Sequence, residues 1–225
     1  MHRTRIKICG ITRVEDALAA ARHGADAIGL VMHREAKRHV TIAQARQIIA
    51  ALPPFLTPVA LFVDAPTQEI VETARELGVR HVQLHGHELP DEIAPLAPLR
   101  VIKAVRVTRM GLRDDVRRWR GVADNLIGIV LETASAKGGG GTGVANDWDF
   151  IEAATKAGDL KGLPNIIAAG GLTPETVADV VRRIQPWAVD VSSGVEISLG
   201  IKSESKIEAF CQAVASVPSP AGRGG

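Results

Sequence analysis

The run Ile127-Gly128-Ile129-Val130-Leu131 contains no polar residue and stops at Glu132. Ile28-Gly29-Leu30-Val31 reads the same way near the start of the chain. Neither run alternates in polarity, which marks parallel strands that pack on helices with one face and inside a barrel with the other. Outward from these two, extended to 27–32 and 126–131, further β-branched runs recur at 5–9, 58–62, 81–84, 100–105, 165–168 and 188–191. Helical periodicity fills the segments 14–23, 42–52, 67–77, 89–94, 112–119, 149–157, 174–184 and 202–217. The segment 89–94 is crowded by Pro90, Pro95 and Pro98. Gly24 and Gly78 stand where helix C-terminal caps belong, and Thr173 ahead of Pro174 reads as an N-cap followed by proline in the first turn.

Eight strand–helix units in 225 residues average about 28 residues each, the scale of a single (β/α)8 TIM barrel in the α/β class. A doubly wound sheet would carry a glycine fingerprint in its first turn, and Cys9-Gly10-Ile11-Thr12-Arg13 supplies none. The barrel is expected over 1–217. The remaining 218–225, rich in Pro, Gly and Ser, is expected to be a disordered C-terminal tail.

The composition, 46% hydrophobic and 23% charged, is that of an ordinary globular chain. A formal net charge of +2 gives no field that would attract nucleic acid, and 3% aromatic residues with no Tyr leave few stacking platforms. The chain starts without an apolar signal region and has no stretch of roughly 18 apolar residues, so no membrane partner and a cytoplasmic location are expected. Cys9 and Cys211 form no disulfide framework and lack metal-ligand spacing, which predicts reduced thiols and no metal. Apolar faces on the outer helices serve packing and association alike, so the oligomeric state is left open: a monomer and a homodimer both fit the sequence.

In such a barrel the chemistry lies at the C-terminal ends of the strands. Strand one ends in Lys7-Ile8-Cys9-Gly10, and alternation puts Lys7 and Cys9 on one face. An ammonium there would favour the thiolate, whereas a cysteine in an apolar strand is also a small buried hydrophobe. Strand six ends at Glu132 and runs towards Gly140, Gly141, Thr142 and Gly143, a carboxylate beside a loop able to fold over a substrate, as a general acid requires. The bland reading is an exposed Glu on a turn. Gly170 and Gly171 follow strand seven, and Ser192, Ser193 and Gly194 follow strand eight, the two loops that form the usual phosphate cradle of this fold. Arg38 and His85 follow strands two and four, where an anionic substrate or plain solvent would occupy them.

Lys7-Ile8-Cys9-Gly10-Ile11-Thr12, Gln83-Leu84-His85-Gly86, Gly140-Gly141-Thr142-Gly143 followed by Asp147-Trp148, and Asp190 through Glu196, taken in that order, resemble the phosphoribosylanthranilate isomerase family over about 5–202. The resemblance implies a phosphorylated small-molecule substrate, no cofactor, and an Amadori rearrangement of an aminoaldose 5-phosphate to an aminoketose 5-phosphate. It places the general base on Cys9 and the general acid on Glu132. Arg38 and His85 would hold the anthranilate ring and carboxylate, Asp190 would lie near the ribose, and Lys7 beside Cys9 would join them in binding the substrate. Phosphate would rest on Gly170, Gly171, Ser192, Ser193 and Gly194. For these roles burial should raise the proton affinity of Glu132, and cations such as Lys7 should lower that of Cys9.

Three features depart from the family pattern. Glu132 stands for the usual Asp, Ala36-Lys37 for Ser-Pro, and Asn146 for a Phe, the last removing an apolar anchor ahead of the helix. The competing readings are a catalytically weak or inactive phosphate-binding paralogue, and a different aldose–ketose isomerase or epimerase on the same scaffold.

Overall fold

A computed structural model describes residues 3–107, 112–133 and 146–218. Eight parallel strands close a barrel in sequence order: β1 (Arg5–Ile8), β2 (Ala27–Val31), β3 (Thr57–Phe62), β4 (His81–Leu84), β5 (Arg100–Val107), β6 (Leu126–Thr133), β7 (Asn165–Ala169) and β8 (Ala188–Val191). The ring shuts where β1 pairs with β8, in a register that sets Lys7 beside Asp190 and Ile8 beside Val191. Helices α1 (Val14–Arg22), α2 (Ile42–Ala50), α3 (Thr67–Leu77), α4 (Leu112–Arg117), α5 (Trp148–Ala157), α6 (Val177–Ile184) and α7 (Glu204–Ala215) surround it.

The two apolar faces of the strands make two cores, as the absence of alternation predicts. Outward residues such as Ile28, Leu30, Ala60, Val82 and Ile129 are buried against the helices. Inward residues Val59, Ile102, Ala104, Val130, Ile167 and Ala169 fill the barrel itself. Above them, at the mouth, Cys9, Val31 and Leu61 form a smaller group with Ala36 and Val63.

Most expected elements are present within a residue or two, and three differ for local reasons. The segment 89–94 is two short 3-10 helices, Pro90–Glu92 and Ala94–Leu96, because the prolines leave no room for an α-helical ladder. Helix α6 starts at Val177 rather than at Pro174: the Thr173 N–H donates to Thr176 Oγ1 at 3.0 Å, so those residues form a turn first. Lys202 lies outside α7, which is capped by Ser203 accepting from Lys206 N at 3.3 Å. It belongs instead to a small antiparallel hairpin, β9 (Glu196–Ser198) and β10 (Ile201–Lys202), that the sequence reading did not contain. Gly78 caps α3 with φ 67°, and Gly24, at φ 88°, follows α1 as expected. No helix of the described residues is long and apolar enough to cross a membrane. Of the expected tail, 219–225 lie outside the described residues.

Candidate active site

The β1–β8 seam builds the first half of the site. Lys7 Nζ donates to Asp190 Oδ2 at 2.7 Å, with both side chains buried. The other carboxylate oxygen, Oδ1, is buried without a hydrogen-bond partner among the described residues. Cys9 continues the inward face of β1 and is 8% exposed at the mouth. Its backbone N–H donates to Val191 O at 2.8 Å, which carries the seam one rung further and fixes the thiol's origin. The sulfur rests on Gly29 of β2, where a Cβ would stand 2.6 Å from Sγ and 3.2 Å from Lys7 Cε. A side chain at position 29 would therefore take the space the thiol occupies.

Glu132 lies across the mouth, since β6 stands three strands from β1 round the ring. Its Oε2 is 3.2 Å from His85 Nε2. The far nitrogen, His85 Nδ1, is 3.1 Å from Gln83 Nε2. A carboxamide N–H donating there leaves the imidazole proton on Nε2, directed at the carboxylate. Gln83 and His85 share a strand face, and the His85 N–H extends the β3–β4 ladder by donating to Phe62 O at 2.8 Å. Beneath the loop after β4, Glu88 accepts from Gly86 N and Asp64 N at 3.0 Å each and pairs with Lys103 at 3.0 Å. Lys103 also donates to Gly86 O at 3.0 Å, so the loop that carries His85 is pinned through both its amide and its carbonyl.

Arg38 turns back over Gly10, beside Cys9, and pairs with Glu196. The loops after β7 and β8, expected from the sequence to hold phosphate, carry the glycines and serines named for that role. Gly170 and Gly171 adopt φ 93° and 66°. Gly194 packs so closely on the Leu172 carbonyl that any Cβ would overlap it. Ser192, its carbonyl and hydroxyl 3.0 and 3.4 Å from Lys202 Nζ, leads into the 3-10 turn Ser193–Val195. Among the residues expected from the sequence, Gly140, Gly141, Thr142 and Gly143 lie outside the described residues.

Two expectations are corrected by these surroundings. Burial, opposed by Lys7 but reinforced by Asp190, pushes the Cys9 thiol up rather than down. Burial also works to raise Glu132, but the hydrogen bond from His85, with the charges of Arg106 and Lys7, outweighs it and leaves its proton affinity lowered. Without ligand, then, the thiol keeps its proton and the carboxyl is ionised. Lys7 itself is held charged: burial opposes this, and Asp190 and Cys9 override it.

Asn146 corrects a third expectation. In place of an apolar anchor it is a buried polar one, its Nδ2 donating to Leu131 O at 2.9 Å and Ala169 O at 2.5 Å, and its N–H to Gly170 O at 3.3 Å. It ties β6 to β7 immediately before Glu132 and at Gly170. Ala36 packs its methyl into the apolar group around Cys9.

Sequence reasoning missed Gln83, Gly29, Glu196 and Lys202. Gln83 had a readable signal, a polar residue inside an apolar strand two places from His85. The others acquire their neighbours only when the ring closes.

The model of the family described as N-(5'-phosphoribosyl)anthranilate (PRA) isomerase matches residues 6–213. N-(5'-phosphoribosyl)anthranilate isomerase of Pseudomonas fluorescens strain SBW25 is 48% identical over 215 residues, 95% of this chain and 97% of that one. The crystal structure of phosphoribosyl anthranilate isomerase from Thermotoga maritima superposes with a TM-score of 0.82 at 34% identity, covering 94% of this chain and 98% of that one. A phosphoribosyl anthranilate isomerase solved with reduced 1-(o-carboxyphenylamino)-1-deoxyribulose 5-phosphate superposes with a TM-score of 0.77 at 32% identity, covering 94% and 98%.

Proposed function

The chain belongs to the N-(5'-phosphoribosyl)anthranilate isomerase family, and we propose that Cys9 and Glu132 are the base and the acid with which it works. It converts N-(5-phosphoribosyl)anthranilate to 1-(2-carboxyphenylamino)-1-deoxyribulose 5-phosphate by an Amadori rearrangement in tryptophan biosynthesis. The observation that carries the residue assignment is the position of Lys7, whose ammonium lowers the proton affinity of both the Cys9 thiol and the Glu132 carboxyl. Two groups from opposite sides of the mouth thus lie within reach of one buried charge.

Protonated Glu132 donates to the furanose ring oxygen, the C1–O bond breaks, and the anilino nitrogen's lone pair forms the Schiff base. The Cys9 thiolate then removes the C2 proton. The resulting enolamine takes a proton at C1 and loses its hydroxyl proton, giving the ketone. Arg38 and His85 engage the ring carboxylate, Asp190 Oδ1 accepts from a ribose hydroxyl, and the phosphate rests on Gly170, Gly171, Ser192, Ser193 and Gly194. That orphaned Asp190 oxygen supports the ribose assignment, because a buried acceptor left unpaired costs free energy until a donor arrives.

The free site holds its proton on the wrong partner, and His85 supplies the correction. When the substrate carboxylate draws the His85 N–H to itself, Glu132 loses the hydrogen bond that keeps it ionised, and its proton affinity climbs. Lys7 remains to stabilise the thiolate as the shared proton moves across. A working thiol also requires a compartment where cysteines stay reduced, which favours the cytoplasm.

Complementation of a tryptophan auxotroph lacking this step tests the activity, and purified Cys9→Ala and Glu132→Gln test the assignment. Growth is expected, with turnover abolished in each variant. A variant that keeps more than about a hundredth of wild-type kcat removes its residue from the role, since positioned acid–base catalysis is worth about 10²–10⁴-fold.

A further inference from the structure

The Arg38 guanidinium is held by one edge. Nε donates to Glu196 Oε1 at 2.7 Å and Nη2 to Glu196 Oε2 at 2.8 Å. Among the described residues Nη1 meets no acceptor. Behind this pair the fully buried Lys202 ammonium donates to Glu196 Oε1 at 2.9 Å and to Ser192 O at 3.0 Å. A single carboxylate therefore fastens the residue that follows β2 to the loop that follows β8. Two cations around one anion leave a surplus positive charge, so the pair still attracts an anion although Arg38 is already bonded.

The geometry of the fork matters more than the charge. Glu196 occupies the Nε–Nη2 side, and the end-on edge, Nη1 with the second N–H of Nη2, is left to offer two parallel donors to another carboxylate. An arginine free to sample its rotamers would have to be ordered by each ligand. One already clamped side-on presents its second edge ready-made.

We infer that Glu196, backed by Lys202, is a positioning residue that aims the end-on edge of Arg38 at the substrate's ring carboxylate, and so selects a carboxylated aryl amine over a plain one. The inference rests on the assignment of Arg38 to that carboxylate made under the proposed function. Glu196→Gln tests it, because the carboxamide puts an N–H₂ group against a guanidinium or an ammonium and breaks the clamp without changing shape.

The probes are reduced 1-(o-carboxyphenylamino)-1-deoxyribulose 5-phosphate and its phenylamino counterpart without the carboxylate, titrated into the full chain by calorimetry. Glu196→Gln is expected to weaken the carboxylated ligand about tenfold and the other less than twofold, with the kinetic loss in KM rather than kcat. Glu196→Asp, which keeps the charge, should recover part of the difference. Equal weakening of both ligands, or of neither, overturns the inference. Arg38→Met separates it from its premise. If Arg38→Met weakens both ligands equally, the carboxylate assignment of Arg38 falls; if it weakens the carboxylated ligand selectively and Glu196→Gln does not, only the positioning role falls. Should Glu196→Gln not fold, Lys202→Met removes the rear tether alone, and a selective loss of about threefold for the carboxylated ligand is expected. A non-selective loss there overturns the inference equally.

Discussion

Replacing Gly29 with alanine adds one methyl group to the inner face of β2 at the point where the Cys9 sulfur rests. The new Cβ would stand 2.6 Å from Sγ, where ordinary contact begins at 3.4 Å, so the sulfur must retreat by about 0.8 Å or turn away. The Cys9 Cα at 3.2 Å and Lys7 Cε at 3.2 Å block relaxation in two other directions. A misplacement of about 1 Å at a reacting group costs on the order of 10²-fold, or about 2.7 kcal/mol of transition-state stabilisation. Overpacking should also cost about 1–3 kcal/mol of stability. Steady-state kinetics on phosphoribosylanthranilate should therefore show kcat down about a hundredfold with KM little altered, because the nearest neighbours of the added methyl belong to Cys9 and Lys7 and not to Arg38 or the loops after β7 and β8. Gly128→Ala is the control: its Cβ would meet the tip of Ile167, Cδ1 at 3.1 Å, low in the same barrel and away from the thiol. It should lower the unfolding free energy and spare kcat. The reasoning is refuted if Gly29→Ala turns over within threefold of the parent, or if Gly128→Ala loses as much.

Proton placement makes a second prediction. With the thiol raised and the carboxyl lowered, the pair shares one proton over a wide range, so kcat/KM should plateau between an acid limb below the ordinary carboxylate value of about 4.3 and an alkaline limb above the ordinary thiol value of about 8.5. His85→Asn, which removes the partner that lowers Glu132, should move the acid limb upward in a pH–rate profile; an unmoved limb would contradict the assignment. Asp190→Asn leaves the Lys7 ammonium buried beside a neutral amide, and denaturant titration should show a loss of about 3 kcal/mol, with a difference under 1 kcal/mol counting against the pair. Asn146→Leu strands the carbonyls of Leu131 and Ala169; about 1–3 kcal/mol of stability should go, together with kcat, as Glu132 loses its support, whereas unchanged kcat would confine Asn146 to the fold.

What could be read from the sequence was what depends on neighbours in sequence. Alternation along β1 put Lys7 and Cys9 on one face, and the end of an apolar run put Glu132 at the mouth. Gly170, Gly171 and Gly194 were legible because two consecutive strand ends carried them. The hairpin from Glu196 to Lys202 was not, since its strands are short and Lys202 begins what reads as helical periodicity. The protonation order was misjudged for a different reason. Sequence shows the sign of a neighbouring charge, but burial dominates Cys9 and a hydrogen bond from His85 decides Glu132, and both arise from closure of the ring. Asn146 was read as a missing hydrophobe because its two acceptors, on β6 and β7, are backbone atoms that no side-chain pattern reveals.

The bond between Lys7 and Asp190 joins residues 183 apart in the chain. The cation beside the thiol is therefore supplied by the first strand of the barrel and neutralised only by the eighth. A nascent chain emerging from the ribosome carries Cys9 as soon as the first strand is made, yet lacks its setting until the eighth strand has been made and docked. Catalytic competence should appear abruptly late in synthesis, and truncations ahead of β8 should contribute no partial activity, however much of the barrel they complete.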